Sequence, residues 1–219
     1  MRAGMIAASL LLAACVNAPG SQSRPAPLTA PAAAAEAFAI AIDLPAGEYR
    51  LDPRHASVIF RIRHQGLAWF TARFDARDAT LHLDPEDPSR SRLEASVEAN
   101  SVNTGVLNSQ GERDFDRQIA RALGAETTPR IGFVSSSISR TGRFTGAVTG
   151  DLTMNGQTHP AVFDVTYDGG RTDPLRAGAA ALGFSARATI PRSAWGATQW
   201  SAFTGDEVEI VIEAEFVKT

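Results

Sequence analysis

The feature that most constrains the fold is a long alternating segment, residues 143–167, which reads RFTGAVTGDLTMNGQTHPAVFDVTY. From Phe144 to Met154, apolar or small residues hold one parity and mostly polar residues the other, which is the period of a β-strand with one buried face. Asn155-Gly156 supplies the two positive-φ residues of a tight type I′ turn, and the alternation then resumes. Because two such strands cannot bury their apolar face alone, the rest of the chain must supply more strands.

The same alternation recurs through most of the chain after residue 48. Turn residues separate the further segments, which are 58–64, 68–74, 79–83, 93–99, 131–138, 182–190 and 208–216. One helix of period 3.6 is predicted between Gly111 and Leu123, and we expect it to pack over one end of the sheet. The apolar loop 197–205 is expected to pack back or to cover an opening. The pattern predicts an all-β domain of about eight antiparallel strands with one inserted α-helix.

Strands of this kind can close into an up-and-down barrel, which removes the exposed edges of an open sheet. A two-sheet sandwich is the alternative. Many inward positions carry small residues, such as Ala72, Gly146 and Ala186, beside inward phenylalanines. Either the small residues leave room for one ligand or they interlock with the phenylalanines in a filled core, and the pattern favours neither.

The amino terminus carries the signature of export. Arg2 precedes the apolar run 5–14, which is too short to span a bilayer and has the length of a secretory signal core. Residues 12–15, Leu-Ala-Ala-Cys, resemble a bacterial lipobox, in which the cysteine is lipidated and becomes the mature N-terminus. Cys15 is the only cysteine in the chain. A plain signal peptide cut near residues 33–35 is the alternative.

Three segments are therefore predicted. Residues 1–15 are a lipoprotein signal peptide with its lipobox, residues 16–47 an Ala- and Pro-rich tether, and residues 48–219 the barrel domain. A short helix is the alternative for the Ala-rich part of the tether. Val16 after the cysteine resembles the sorting signal of outer-membrane lipoproteins. We expect a protein on the periplasmic face of the envelope, anchored in the outer membrane through Cys15, with a soluble periplasmic protein as the alternative.

Composition and titratable residues argue against several functions. The net charge of −3 and the lack of a basic cluster disfavour nucleic-acid binding. A domain without cysteine has no disulfide or thiol chemistry. The histidines are not spaced like metal ligands, and neither a catalytic serine elbow nor a phosphate-binding loop is present. We expect no metal, no cofactor and no catalysis, and the oligomeric state does not follow from the sequence.

Seven segments of the domain follow one another in a recognisable order. They are YRLDPRH (49–55), FRIRHQG (60–66), SVNTG (101–105), PRIGF (129–133), VTGDLTMNGQTHP (148–160), IPRSAWG (190–196) and GDEVEI (205–210). Together they resemble the YceI-like family of polyisoprenoid-binding periplasmic proteins, which have an extended lipocalin-like barrel. The chain departs from that family's pattern at Ala56, Ala72, Ala122 and Thr128. If the last two positions shape the mouth of the pocket, the ligand here differs in size or head group.

The resemblance implies binding or carriage of a long-chain isoprenoid lipid, such as a quinone or a polyprenyl phosphate, in the apolar lumen. Burial of an apolar tail is favourable by about 25 cal/mol per Å², so apolar lining suffices for affinity. His64 and Arg192 are candidates for head-group contacts, with ordinary hydrogen bonding at the barrel end as the alternative. The residues predicted to line the lumen are Phe60, Ile62, Phe70, Phe74, Phe133, Phe144, Gly146, Val148, Gly150, Leu152, Phe163, Val165, Phe184, Ala186 and Trp195.

Two other functions stay open at the level of sequence. An enzyme that acts on a lipid or a quinone predicts a polar cluster inside the lumen, and the almost wholly apolar inward positions argue against it. A lipoprotein of envelope assembly or protein interaction predicts a filled barrel without a continuous internal cavity.

Overall fold

The computed structural model describes residues 42–174 and 177–219, most of them in β-strands. The predicted signal peptide and the predicted tether up to residue 41 lie outside the described residues. No helix in the described part of the chain combines the length and the hydropathy of a membrane span. The elements are β1 (Gly47–His64), β2 (Ala68–Phe74), β3 (Arg77–Leu83), β4 (Arg92–Glu98), β5 (Val102–Asn103), α1 (Asp114–Ala122), β6 (Arg130–Arg140), β7 (Thr145–Met154), β8 (Gln157–Asp173), β9 (Ala179–Pro191) and β10 (Thr204–Lys218).

The strands form one antiparallel sheet that closes on itself. Eight strands follow in the order β10-β9-β8-β7-β6-β4-β3-β1, and β10 pairs with β1 to complete the barrel. The two extra strands are β2 and β5, and they are accommodated because β1 is long enough to pair with two strands on the same side. Residues 47–50 of β1 pair with β3, residues 58–64 pair with β2, and β2 in turn pairs with β5. The prediction of an all-β, lipocalin-like barrel of about eight strands with one helix is confirmed.

The connections of this up-and-down barrel divide between two ends. The upper end carries the β1–β2 turn, α1, the β7–β8 turn and residues 192–203. The lower end carries the β3–β4, β6–β7 and β8–β9 connections, the start of β1 and the end of β10.

The β7–β8 hairpin forms as its sequence predicts. Asn155 and Gly156 have φ of 52° and 71°, the positive values of a type I′ turn, and Met154 pairs with Gln157 across it. The limits of these two strands differ from the predicted ones at the lower end of each strand. Phe144 precedes β7 and lies in the β6–β7 connection, while β8 runs through Gly169-Gly170 to Asp173, where the sequence favours a polar loop. Gly169, with φ of 133°, follows a register shift that absorbs this continuation.

Two apolar clusters fill the wall and the ends. The upper cluster includes Ile119 and Ala120 of α1, which pack on strand residues such as Phe74 and Val102. The lower cluster surrounds Tyr49, whose side chain is fully buried and donates a hydrogen bond to the carbonyl of Pro45 at 2.7 Å. The helix therefore packs over the upper end, as the sequence predicts.

A buried carboxylate fixes α1 to the preceding loop. Asp116 accepts hydrogen bonds from the backbone N–H of Thr104 at 3.0 Å and from its hydroxyl at 2.6 Å. Arg113 donates a third bond to the same side chain at 3.2 Å. These hydrogen bonds satisfy the buried carboxylate of Asp116, and they fix the position of α1 over the upper end of the barrel.

Candidate functional site

A cavity of about 570 Å³ lies inside the barrel and reaches toward both ends. We call it the lumen. Its volume is within the range of sites that enclose a drug-sized molecule. Inward side chains from the strands line its middle, namely Val58, Phe60, Phe133, Val148, Phe163, Val165, Ala186, Ile210 and Ile212. The wall at this level is almost wholly apolar.

The register of the strands explains why space remains. Val58 pairs with Ile212, Ile212 with Ala186, and Ala186 with Val165, so these inward residues form one level of the wall. Val165 in turn pairs with Gly146. Two of the five positions at this level are therefore glycine or alanine. Ala186 leaves room for a ligand here, whereas a Cβ at Gly146 would lie 2.8 Å from the carbonyl oxygen of Ser139, so not every small inward residue opens space.

Most of the residues predicted to line the lumen do so. All of them except Gly150 and Trp195 are lining residues, and their contact with a ligand stays a prediction. Phe144 differs from the others because it lies in the β6–β7 connection, where its side chain is 48% exposed at the lower end.

Gly150 does not provide space for a ligand. A Cβ at this position would lie 2.3 Å from the carbonyl oxygen of Val134 and 2.6 Å from the ring of Phe133. The β6 strand carries a register shift between Ser135 and Ser137 beside this glycine. The glycine therefore allows a close approach of β6 to β7, which period-2 patterning cannot distinguish from an open inward position.

Trp195 packs beside the lumen instead of lining it. It ends the 3-10 turn Arg192–Trp195, is only 2% exposed, and donates its indole N–H to the carbonyl of Leu152 at 2.9 Å. The ring of His159 meets it edge to face at 5.2 Å. Trp195 thus joins the turn to the upper part of β7 and β8.

Arg192 lines the upper part of the lumen, but its donors are engaged by the protein. Its guanidinium donates to the carbonyls of Ala197, Gln199 and Gly205 and to the hydroxyl of Thr204. The side chain is 8% exposed and forms no ion pair among the described residues. This geometry corresponds to the alternative role, hydrogen bonding that shapes the barrel end. Arg192 holds the loop 197–205 over the strands.

His64 is the more accessible of the two head-group candidates. It is the last residue of β1, is exposed, and lines the lumen together with Gln199, Phe203 and Thr204. The backbone N–H of Gln65 donates to the carbonyl of Phe203 at 2.7 Å, so the β1–β2 turn and the loop 197–205 lie side by side. The upper mouth therefore combines an imidazole with both polar and apolar neighbours.

Aromatic side chains connect α1 to this mouth. Phe115 meets Phe70 at 5.6 Å and Trp200 at 6.2 Å between ring centroids, and all three line the lumen. Loop 197–205 thus packs back over the opening, as expected. Of the positions that depart from the family pattern, Ala56 and Ala122 line the lumen, where small side chains widen it, whereas Ala72 is buried in the wall.

Tyr167 and two arginines line the lower part of the lumen, and Tyr49 is buried in the lower cluster against which Tyr167 packs. Burial raises the pKa of Tyr167, and burial followed by the neighbouring Tyr167 raises the pKa of Tyr49, so both hydroxyls stay protonated well above neutral pH. Arg143 and Arg140 line the lower end beside Phe144, and the Arg143 guanidinium lies 5.2 Å from the Phe144 ring. Sequence reasoning missed these arginines. The signal that could have found them is that residues 127–150 contain no acidic residue that would pair with them locally.

One group of side chains has donors that could ligate a metal. Asp52, His55 and Glu215 bring one ligand atom each to within 4.8 Å of the others. A register shift between Leu51 and Ala56 inserts extra β1 residues opposite Glu215 and creates this cluster. His55 Nδ1 already lies 2.7 Å from Asp52, and the backbone N–H of Arg54 donates to the same carboxylate. Hydrogen bonds and ion pairs account for the arrangement.

Comparisons with known proteins agree with this barrel. The YceI-like domain family matches residues 49–216. Protein YceI of Salmonella arizonae is 32% identical over 175 residues, which are 79% of this chain and 88% of that protein. The crystal structure of Burkholderia cenocepacia BcnA has a TM-score of 0.64 at 22% identity and covers 75% of this chain and 98% of its own. A polyisoprenoid binding domain from Saccharophagus degradans, implicated in plant cell wall breakdown, has a TM-score of 0.53 at 11% identity, with coverages of 80% and 100%.

Proposed function

The chain belongs to the YceI-like family, and we propose that it is a binding protein that holds or carries one long-chain isoprenoid lipid, of the quinone or polyprenyl phosphate type, in its lumen. The observation that carries the proposal is the continuous apolar cavity of about 570 Å³. The similarity of the barrel to the polyisoprenoid binding domain from Saccharophagus degradans supports the same ligand class.

The energetics of the lumen suit such a ligand. Burial of apolar surface contributes about 0.8 kcal/mol per methylene-sized group, and an isoprenoid tail is a chain of such groups. The tail needs no hydrogen-bond partner, and the middle of the lumen offers almost none. Polar side chains such as His64 and Thr204 at the upper mouth and Tyr167 in the lower part can contact a head group or an exposed chain end.

The two alternative functions find less support. A filled barrel of an assembly lipoprotein predicts no continuous cavity, whereas this barrel encloses one. An enzyme predicts reactive polar groups within reach of a substrate inside the lumen. Here Arg192, a buried charged side chain that lines the upper part, donates its hydrogen bonds to loop carbonyls, and the wall around Ala186 is apolar. We therefore favour binding without catalysis.

A chain-length series tests the proposal directly. Trp200 lines the lumen and Trp69 and Trp195 do not, so intrinsic fluorescence can follow occupancy, with Trp200→Phe as the control that assigns the signal. Affinity for isoprenoid alcohols and quinones is expected to rise with each added unit until the lumen is full and then to level off. Absence of binding, or an affinity that is indifferent to chain length, would contradict the proposal.

We also propose that the protein works at the periplasmic face of the outer membrane, anchored through a lipid on Cys15. The support is the lipobox-like run 12–15 and the family membership. Cys15→Ser is expected to move the protein from the membrane fraction to the soluble fraction, because one polar hydroxyl cannot accept the lipid. Unaltered fractionation would refute lipidation without bearing on the lumen.

A further inference from the structure

The upper mouth of the lumen has a rim of exposed apolar residues. Leu67, at the β1–β2 turn, is 81% exposed, Phe203 is 54% exposed and Trp69 is 40% exposed. Phe203 also lines the lumen. Exposed apolar residues grouped around an opening mark a surface that contacts something apolar. We call Leu67, Trp69 and Phe203, with Arg61 and Arg63, the upper rim.

The rim residues are ordered by depth. Leu67 is at the turn, and Trp69 follows at the start of β2, paired with Arg63 across the strands. The guanidiniums of Arg61 and Arg63 lie 4.8 and 4.9 Å from the Trp69 ring. This order, with the aliphatic residue outermost and tryptophan and arginine behind it, is the order in which side chains enter a bilayer surface. Indole and guanidinium groups favour the head-group layer, whereas aliphatic groups favour the acyl chains.

From this order we propose that the upper rim docks on an anionic lipid bilayer and places the mouth of the lumen against the membrane that supplies the ligand. The proposal rests on the proposed function, since a lipid ligand resides in a membrane. Leu67 and Phe203 enter the acyl boundary, Trp69 lies at head-group depth, and Arg63 faces lipid phosphates. A protein partner would not require this order of side chains.

Two acidic side chains near the rim are engaged within the protein. Arg61 is paired with Glu209 at 2.6 Å, and Asp206 is held by Ser193, which donates to it through both its backbone N–H and its hydroxyl. Arg63 forms no ion pair among the described residues and donates only to the carbonyl of Gly66. Its charge is thus available to lipid phosphates.

The chain is long enough for this orientation even though the domain begins at the lower end. Residues 16–41 can span at most roughly 90 Å when fully extended. The 18 residues of β1 rise about 60 Å along the strand, and less along the axis of a tilted barrel. A lipid on Cys15 therefore lets the upper rim reach the same membrane.

A local fluorescent probe tests which end docks. In the full chain carrying Cys15→Ser, which has no other cysteine, Leu67→Cys is labelled with an environment-sensitive fluorophore. The matched control is Phe144→Cys at the lower end, which also replaces an exposed apolar residue beside an arginine, Arg143. With vesicles of phosphatidylcholine and phosphatidylglycerol, we expect a blue shift and a severalfold gain in emission at position 67, and neither at position 144.

Three results would overturn the proposal: an equal or larger response at position 144, no response at either position, or a response at position 67 that follows protein concentration without vesicles. The last result would assign the rim to a second copy of the chain.

Loading kinetics separate docking from binding. Leu67→Asp with Trp69→Ser, two rim residues that do not line the lumen, is expected to slow uptake of an isoprenoid from vesicles roughly tenfold or more, because the transfer free energy of two apolar side chains exceeds that of a tenfold change in rate. Uptake of the same ligand from detergent should be unchanged. Equal uptake rates from vesicles would overturn docking, whereas loss of binding from detergent and vesicles in the unsubstituted chain would overturn the proposed function itself.

Discussion

Ala186→Trp places an indole in the middle of the lumen. Ala186 lies on β9 at the level of Val58, Val165 and Ile212, and its methyl group faces the cavity. An indole is larger than one five-carbon isoprenoid unit, so the variant excludes at least one such unit. At about 0.8 kcal/mol per methylene-sized group, the lost transfer free energy is about 4 kcal/mol. The dissociation constant should therefore rise by nearly a thousandfold.

The assay is a fluorescence or calorimetric titration with one long-chain isoprenoid, run with urea unfolding of the same samples. The variant should remain folded, because the added ring enters space that is empty without ligand. Thr189→Trp on the outer face of the same strand should leave the dissociation constant unchanged.

Ala188→Trp is the control for packing. Ala188 shares strand and face with Ala186 but is buried in the wall and does not line the lumen. Overpacking there should cost about 1–3 kcal/mol of unfolding free energy. Unchanged affinity in a folded Ala186→Trp protein, or destabilisation of that protein as large as in Ala188→Trp, would refute the hollow lumen.

Three further predictions concern the elements that shape the lumen. Gly150→Ala should destabilise the protein by about 1–3 kcal/mol because its Cβ meets the carbonyl of Val134, whereas Gly132→Ala, with no atom within 4 Å, should be close to neutral; equal urea midpoints would contradict this. Arg192→Met should cost about 3 kcal/mol by leaving loop carbonyls unpaired, and a loss below about 0.5 kcal/mol would contradict its role. Burial raises the pKa of Tyr167 above its ordinary value of 10.0, so its contribution to stability is complete below pH 10 and lost as pH rises through the folded pKa. Tyr167→Phe should reduce the loss of unfolding free energy at alkaline pH. An identical dependence of unfolding free energy on pH in both proteins would contradict this prediction.

Local sequence patterns predict much of this fold. The β7–β8 hairpin follows from alternation plus Asn155-Gly156, since both the strand faces and the turn are decided by neighbouring residues. The helix predicted between Gly111 and Leu123 forms over Asp114–Ala122, with the expected apolar face inward. Inward parity also selects most lining residues, because every inward position of a barrel faces the same interior.

Features that depend on distant residues were not predictable. Gly150 and Ala186 look alike in the pattern, yet one allows a close approach to Val134 and the other faces open space. Arg192 looks like a head-group contact until its acceptors, which lie up to thirteen residues away, are known. The Asp52 cluster exists only because β1 shifts register against β10. Alternation fixes the face of a residue, whereas register and loop path decide what it meets.

The central claim is that the lumen holds an isoprenoid lipid. The most direct measurement is mass spectrometry of an organic extract of the full chain purified from bacterial envelopes, with the Ala186→Trp protein as the matched control. We expect one isoprenoid lipid per protein chain in the extract of the unsubstituted protein and little or none in that of the variant. A clean extract, together with no binding of quinones or polyprenyl phosphates to the purified protein, would contradict the claim.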